Sequence, residues 1–282
     1  MSKTSIYDKD DYYDKDGVAT RLSKLLNPLL HLLDWTKATL FYKKSALGCG
    51  NILDVGAGDG KFLFFMKKLG FNTFGTTASK TSKKAAFSLF KIELEYTTSL
   101  SDSICSRRYK GITYWHVFEH LENPKEHVEK WPYLLSEGGT ILIEVPNIES
   151  IGARLNFDSW LGADVKHHIN HMTKKEISAL LCKNNLVIQR DEGFSLKFSY
   201  VFLWSSLLGL IFGKSYQFDF VFDILKNPFD NLKKCPILTL NGIMSVFYLF
   251  PIILPLLVLG IITGKGEVLR LYIKRRSQTK NE

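Results

Sequence analysis

The run Asn51-Ile52-Leu53-Asp54-Val55-Gly56-Ala57-Gly58-Asp59-Gly60-Lys61-Phe62 restricts the fold more than any other part of the chain. An apolar strand pattern ends in three glycines at alternate positions, and an amphipathic helix pattern (Phe62, Leu63, Met66, Leu69) follows at once. Glycine lets the backbone turn sharply and approach a ligand with no Cβ in between. A helix opening near Gly60 offers N–H groups and partial positive charge to a carboxylate. Strand, glycine turn and helix in that order belong to an α/β sheet that binds ligands beyond the C-terminal ends of its strands. The dinucleotide pattern Gly-x-Gly-x-x-Gly is absent, because the third glycine comes one residue early, and so is a phosphate-binding Gly-Lys-Ser/Thr ending, because Phe62 follows Lys61. A tight turn without a ligand is the remaining alternative.

Around this loop the chain divides into three regions. Residues 1–48 form a helical lead-in, with Leu22, Leu25, Leu26, Leu29, Leu30 and Leu33 at helical spacing and Pro28 expected to bend or restart the helix. Residues 49–200 alternate strand and helix patterns, which predicts a mostly parallel sheet covered on both faces. Seven strands are expected, at Asn51 to Val55, Asn72 to Thr76, Ile92 to Tyr96, Gly111 to His116, Gly139 to Val145, Leu186 to Arg190 and Phe194 to Tyr200. Asn123-Pro124 with Glu126, and Thr173 with Glu176, are helix-start signals, and Gly138-Gly139 is expected to end a helix.

Residues 201–282 differ in character. No formal charge occurs between Lys234 and Lys265, a run longer than the roughly twenty residues that cross a bilayer. Pro251 and Pro255 interrupt it. A straight spanning helix, a kinked hairpin dipping into one leaflet, and a segment packed on the sheet all remain open. Charge separates the partners. The net charge is +9, and Lys226, Lys233 and Lys234 precede the apolar run while Lys265, Arg270, Lys274, Arg275, Arg276 and Lys280 follow it. Basic flanks on both sides suit the cytoplasmic face of an anionic membrane. No basic and aromatic module of a nucleic-acid binder is present, so nucleic acid is not expected as a partner. Four scattered cysteines and a polar N-terminus without a signal peptide fit a cytoplasmic start.

The motifs resemble one family. Ile52 to Gly60 resembles the first motif of the class I S-adenosylmethionine-dependent methyltransferases, Leu-Asp-x-Gly-x-Gly-x-Gly. Trp115-His116-Val117-Phe118-Glu119-His120-Leu121, then Gly138-Gly139, then Glu144-Val145-Pro146-Asn147, are similar to the group that includes ubiquinone-type O-methyltransferases and surface-glycan pathway methyltransferases. Asp164 to Thr173 resembles the same group's pattern of an acid, a histidine and a helix-opening Thr. The resemblance covers roughly Tyr12 to Tyr200. It implies a doubly wound seven-stranded Rossmann-like sheet with S-adenosyl-L-methionine as cofactor. The methionine end would lie over Gly56, Ala57 and Gly58, with Asp54 bracing the turn and Gly60, Phe62, Ala78, Trp115 and His116 completing the cofactor site. Two positions depart from the family: Thr77 stands where an acid holds the ribose diol, and Lys110 replaces an Asp at the start of the fourth strand.

Methyl transfer is an in-line displacement, so the protein supplies orientation and, for a hydroxyl acceptor, a base. His168 and His171 are base candidates in the loop that covers the acceptor side of such a fold, and His167 adjoins them. His116 is a third candidate. His116, Glu119 and His120 are spaced to share a helical turn and could hold a divalent metal, although loop packing is the simpler use and no metal is expected. Tyr12 and Tyr13 precede the first helix as a lid. The expectation is a methyltransferase on the cytoplasmic side of a membrane, acting on a small-molecule or lipid-linked acceptor such as a glycan intermediate. A quinone-type lipid O-methyltransferase and a membrane-anchored scaffold without catalysis are the alternatives.

Overall fold

The computed structural model describes residues 21–45, 48–195, 197–226 and 228–276. Tyr12 and Tyr13 lie outside them. The chain opens with α1 (Arg21–Ser45), an unbroken helix that includes Pro28. There follow β1 (Asn51–Val55), α2 (Lys61–Lys68), β2 (Asn72–Thr77), α3 (Lys80–Phe90), β3 (Glu95–Tyr96), α4 (Asp102–Cys105) and β4 (Tyr109–Trp115). Next come α5 (Pro124–Leu134), β5 (Leu135–Pro146), α6 (Ile151–Leu155), α7 (Lys174–Cys182) and β6 (Leu186–Glu192). Five helices then intervene, α8 (Ser199–Phe212), α9 (Phe218–Lys226), α10 (Pro228–Lys234), α11 (Pro236–Tyr248) and α12 (Phe250–Ile262), before β7 (Val268–Arg275) closes the sheet.

The seven strands lie in the order β3-β2-β1-β4-β5-β7-β6. β1 pairs in parallel with β2 (Leu53 opposite Phe74) and with β4 (Leu53 opposite Ile112), and β2 with β3. A central parallel strand is covered on both faces, which is why nearly every residue of β1 and β4 is buried rather than every second one. Ile52, Leu53, Ile112 and Tyr114 are fully buried there.

The chain divides into two compact units. The first holds α1, β1 to β4 and the helices between them. Its core joins Ile52, Leu63 and Met66 to Ala38 and Phe41 of α1, with the Phe41 and Phe62 rings edge to face at 6.0 Å. Helix starts follow the sequence signals: Asn123 Oδ1 accepts from the Glu126 N–H, with Pro124 at the first helical position.

The second unit comprises Glu144–Ile177 and Asp191–Arg270. Here Thr173 and Glu176 make the expected reciprocal cap, the Thr173 N–H donating to Glu176 Oε2 at 2.8 Å and the Glu176 N–H to Thr173 Oγ1 at 3.2 Å. Trp160, Trp204, Leu208 and Ile253 centre its own core. Arg270 is the main surprise. Its guanidinium bonds Glu144 through Nε at 2.6 Å and Glu192 through Nη1 at 3.2 Å, and both carboxylates are largely buried.

Three expectations are corrected. The seventh strand is Val268–Arg275, not Phe194 to Tyr200. The alternation from Phe194 leads instead into α8, at whose start Phe198 and Phe202 lie one helical turn apart with ring centroids 5.5 Å from each other. Residues 201–282 are consequently not a terminal appendage: α8 to α12 form an insertion between β6 and β7, and the sequence after them returns to the sheet. The basic tail was misleading because charge outweighed pattern. Val268-Leu269-Arg270-Leu271-Tyr272-Ile273 is a buried central strand whose arginine is neutralised within the protein. Arg275 is also used internally, donating to the carbonyls of Pro132 and Leu135. Finally, β5 begins at Leu135, ahead of Gly138-Gly139, so that pair lies within the strand rather than ending the helix.

Candidate active site

The glycine loop closes on β2. The Gly56 N–H donates to Thr76 Oγ1 at 3.2 Å and the Ala57 N–H to the Thr76 carbonyl at 2.7 Å. Those two amides are thus spent on the neighbouring strand, and Asp59 Oδ1 takes the Lys61 N–H at 3.1 Å. Gly56 and Gly58 both have left-handed backbones, φ 72° and 55°. Their environments differ. A Cβ on Gly56 would meet Val117 Cγ2 at 2.5 Å, whereas one on Gly58 would meet nothing within 4 Å. Gly58 faces open space and lines a cavity at the C-terminal ends of β1, β2 and β4. The bare backbone there is a cradle that a Cβ would partly fill.

Beneath the loop, Asp54 is buried and accepts from Thr113 Oγ1 at 2.6 Å, tying β1 to β4. Burial pushes its carboxyl up to about 6, against the opposing pull of the Lys37 charge and the Thr113 bond. Lys37 of α1 also sits over the Trp115 ring, 3.9 Å from its centroid, and Phe62 meets that ring edge on at 5.5 Å. Trp115 forms one wall of the cavity. Gly60, by contrast, is turned to the core, where an added Cβ would press on Ala86 at 3.0 Å.

Another wall is rich in hydroxyls. Thr76, Thr77, Ser79 and Ser82 line it, with Thr97 and Thr98 from the end of β3. Thr77 Oγ1 accepts the Ser79 N–H at 3.2 Å, and Ser79 Oγ caps α3 by accepting the Ser82 N–H at 3.1 Å. Thr77 therefore holds the turn while standing at the position expected for the ribose. Lys110 has no such place. It lies at the start of β4, five residues before Trp115, and its Nζ donates to the Glu137 carbonyl at 2.8 Å. At roughly 3.3 Å per residue that is about 16 Å from the cavity end of the strand.

Of the histidines, His116 and His120 line the cavity. His116 has a left-handed backbone, φ 53°, and precedes the 3-10 turn Phe118–His120, so the three residues do not share one helical face as spacing suggested. Its Nδ1 nevertheless lies 3.4 Å from Oε1 of the buried Glu119. His168 and His171 belong to the second unit, with rings 5.7 Å apart. His168 Nδ1 lies 3.0 Å from the Gly162 carbonyl, and His167 Nδ1 lies 2.7 Å from Asp164 Oδ1. Sequence reasoning missed the hydroxyl wall and Lys37. The hydroxyls were detectable, since Ser79, Ser82, Thr97 and Thr98 directly follow the second and third strands, where ligands of such sheets bind.

Strand order, loop and cavity together define the Rossmann-like fold of S-adenosylmethionine-dependent methyltransferases. Residues 19–190 match the family described as "Methyltransferase domain", and the chain belongs to that family. Its cofactor is S-adenosyl-L-methionine. Solved structures agree on the fold. A protein from Galdieria sulphuraria, assigned provisionally as a sarcosine dimethylglycine methyltransferase, is similar with TM-score 0.53 and 17% identity over 89% of this chain and 86% of its own. The plantazolicin methyltransferase BpumL, in complex with S-adenosylhomocysteine, gives 0.52 and 14% over 97% and 95%. The [4+2]-cyclase SpnF gives 0.52 and 12% over 86% and 80%. No curated protein matches the sequence significantly.

Proposed function

We propose that this chain transfers a methyl group from S-adenosyl-L-methionine to an acceptor confined to a membrane, such as a lipid-linked surface-glycan intermediate, on the membrane's cytoplasmic side. One observation carries the membrane half of the reading. The insertion α8 to α12 turns large apolar side chains outward, with Ile237 82% and Phe247 70% exposed, on a protein that also carries a cofactor cavity. No single described helix is long and apolar enough to cross a membrane, but α11 and α12 pass that test together as a pair bent by 59°.

The cofactor supplies a methyl group already activated on a sulfonium, so the protein's task is placement. Gly58 gives room to the methionine end, and Thr77 with the hydroxyls beyond it holds the nucleoside end. Trp115, backed by Phe62 and Lys37, walls the cavity. His116 takes the acceptor's proton: it lines the cavity, and Glu119 at its Nδ1 orients the ring so that proton transfer falls to Nε2. Methyl transfer from labelled cofactor into a total lipid extract tests the reading. Label in the organic phase is the expected result, and label only in water-soluble acceptors overturns it.

One observation favours a second reading, a scaffold without catalysis: the Thr77 hydroxyl is already engaged by the Ser79 N–H. Calorimetric titration with S-adenosylhomocysteine decides. Binding in the micromolar range removes the scaffold reading, and no heat at millimolar ligand establishes it.

A further inference from the structure

Helix α11 is built inside out. On α11 the buried face consists of Thr239, Gly242 and Ser245, while Ile237, Leu240, Met244, Phe247 and Tyr248 point outward at helical spacing. On α12 the inward residues are Ile253, Leu257 and Gly260, yet Ile252, Leu254, Val258, Leu259 and Ile262 are all about half exposed or more, so that helix is apolar on both sides. A helix at a water interface carries the opposite pattern. Small and hydroxyl residues at the protein-facing side, with large aliphatics outside, are how helices pack when their surroundings are lipid.

The buried face explains why the polar groups went inside. Ser245 Oγ accepts from Trp204 Nε1 at 2.8 Å and donates to the Gly242 carbonyl at 2.6 Å. Asn241 Nδ2 donates to Tyr216 Oη at 3.0 Å, and Tyr216 Oη donates to the Leu238 carbonyl at 2.8 Å. Leu249, at the bend, and Ile253 and Leu257 join the core of the second unit. Both helices are therefore fastened to protein along their whole length on one side.

That fastening decides how the pair meets a bilayer. A spanning pair would have lipid or other spanning helices all round, but here one side is the core of a unit that also buries Trp160 and Val268. We infer that α11 and α12 lie in the plane of one leaflet, outer face in the acyl region, and that Lys233, Lys234 and Lys265 meet anionic headgroups at its edges. All three lysines are exposed and bracket thirty residues without a charge, 235–264. A second copy of the chain is the less suitable occupant. Even obligate dimer interfaces are only about 65% apolar, with polar groups at the rim, whereas the large side chains that α11 and α12 turn outward are almost all aliphatic or Phe. This inference deepens the membrane half of the functional proposal and rests on it.

Vesicle flotation of the full-length protein tests it. The chain should float with phosphatidylglycerol-containing vesicles, and replacing Lys233, Lys234 and Lys265 by Gln should weaken partitioning on the order of a hundredfold, since each surface lysine contributes about fivefold. The exposed double variant Phe247→Glu with Leu254→Glu should abolish flotation, with its thermal midpoint and S-adenosylhomocysteine affinity unchanged. Val165→Glu, at an exposed site elsewhere, should float normally. Tryptophan placed by Phe247→Trp should be quenched more by lipids brominated near the headgroup than by lipids brominated near the chain ends. Flotation that survives the double variant, the reverse order of quenching, or a soluble dimer that the double variant splits would each overturn the inference. Intact flotation with methyl transfer only to water-soluble acceptors would sink the acceptor proposal and leave this one standing.

Discussion

Replacing Gly58 by Ala separates a turn from a cradle. At φ 55° an alanine is strained, by about 1–2 kcal/mol, but its methyl group would touch no protein atom within 4 Å. The unliganded protein should therefore unfold about 2–8 °C lower, at roughly 2–4 °C per kcal/mol for a domain of this size. Ligand binding should suffer separately. The methyl group enters the cavity beside the loop, and overpacking a fitted contact costs about 1–3 kcal/mol, or roughly 5- to 150-fold in Kd. Thermal unfolding with and without S-adenosylhomocysteine reads both effects. At a hundred times its Kd the ligand should stabilise the parent by about 2.7 kcal/mol, and the same concentration should give the variant much less. Gly58→Asn is the control, because asparagine tolerates the left-handed region; it should recover most of the stability and none of the affinity. A Gly58→Ala protein that keeps the full ligand-induced shift would refute the cradle and leave only a turn.

Other outcomes follow from single contacts. Thr77→Asp keeps an acceptor for the Ser79 N–H and adds a charged partner for a ribose, so S-adenosylhomocysteine should bind roughly tenfold tighter by titration calorimetry. His116→Asn should lower kcat at least a hundredfold with cofactor affinity retained, and should remove the acidic limb of the kcat–pH profile. Arg270→Ala leaves the carboxylates of Glu144 and Glu192 without their shared cation, which should cost about 3–5 kcal/mol in chemical denaturation. Glu267 accepts from Ser150 Oγ, the Gly152 N–H and Trp160 Nε1, yet burial pushes it up from 4.5 to about 7. Being raised, it favours the folded state at pH below 4.5 and loses that contribution as pH climbs to 7; Glu267→Gln should therefore flatten the pH dependence of stability by on the order of 3 kcal/mol over that window.

The parts legible in the sequence are those set by local pattern. The strand, loop and helix around Gly56 to Gly60 needed only neighbouring residues, and the caps at Asn123 and Thr173 are contacts over three positions. What escaped depends on distant partners. Arg270 reads as a tail cation until Glu144, 126 positions earlier, is placed beside it. The strand that contains it was hidden by the same charge, since apolar residues on both sides of an arginine suggest a membrane flank as readily as a sheet. Phe194 to Tyr200 failed in the other direction: four residues of alternation fit a strand, but the apolar run through Phe212 continues at helical spacing. In the site, the family pattern marked Lys110 as a departure, but its partner, the Glu137 carbonyl at the far end of β4 from the cavity, is 27 positions away and is given only by the fold.

Relocating β7 changes what holds the apolar insertion. A terminal anchor is attached at one end, and its basic tail is free to add attraction to anionic lipid. Here both ends of the insertion are bound within the second unit. Glu192, at the exit from β6, shares Arg270 with Glu144 near the entry to β7. The Asn147 side chain donates to the Gly266 carbonyl at 2.8 Å, and the Asn147 N–H to the Glu267 carbonyl at 3.1 Å. Closing the loop in this way removes little further entropy on binding, because the ends are already fixed. It also removes Arg270 and Arg275 from the pool of lipid-facing charge. In the proposed membrane-bound state, electrostatic attraction then rests chiefly on Lys233, Lys234 and Lys265, about 1 kcal/mol each. The outward aliphatic and Phe side chains of α11 and α12 must supply the rest, so salt should weaken membrane binding without abolishing it.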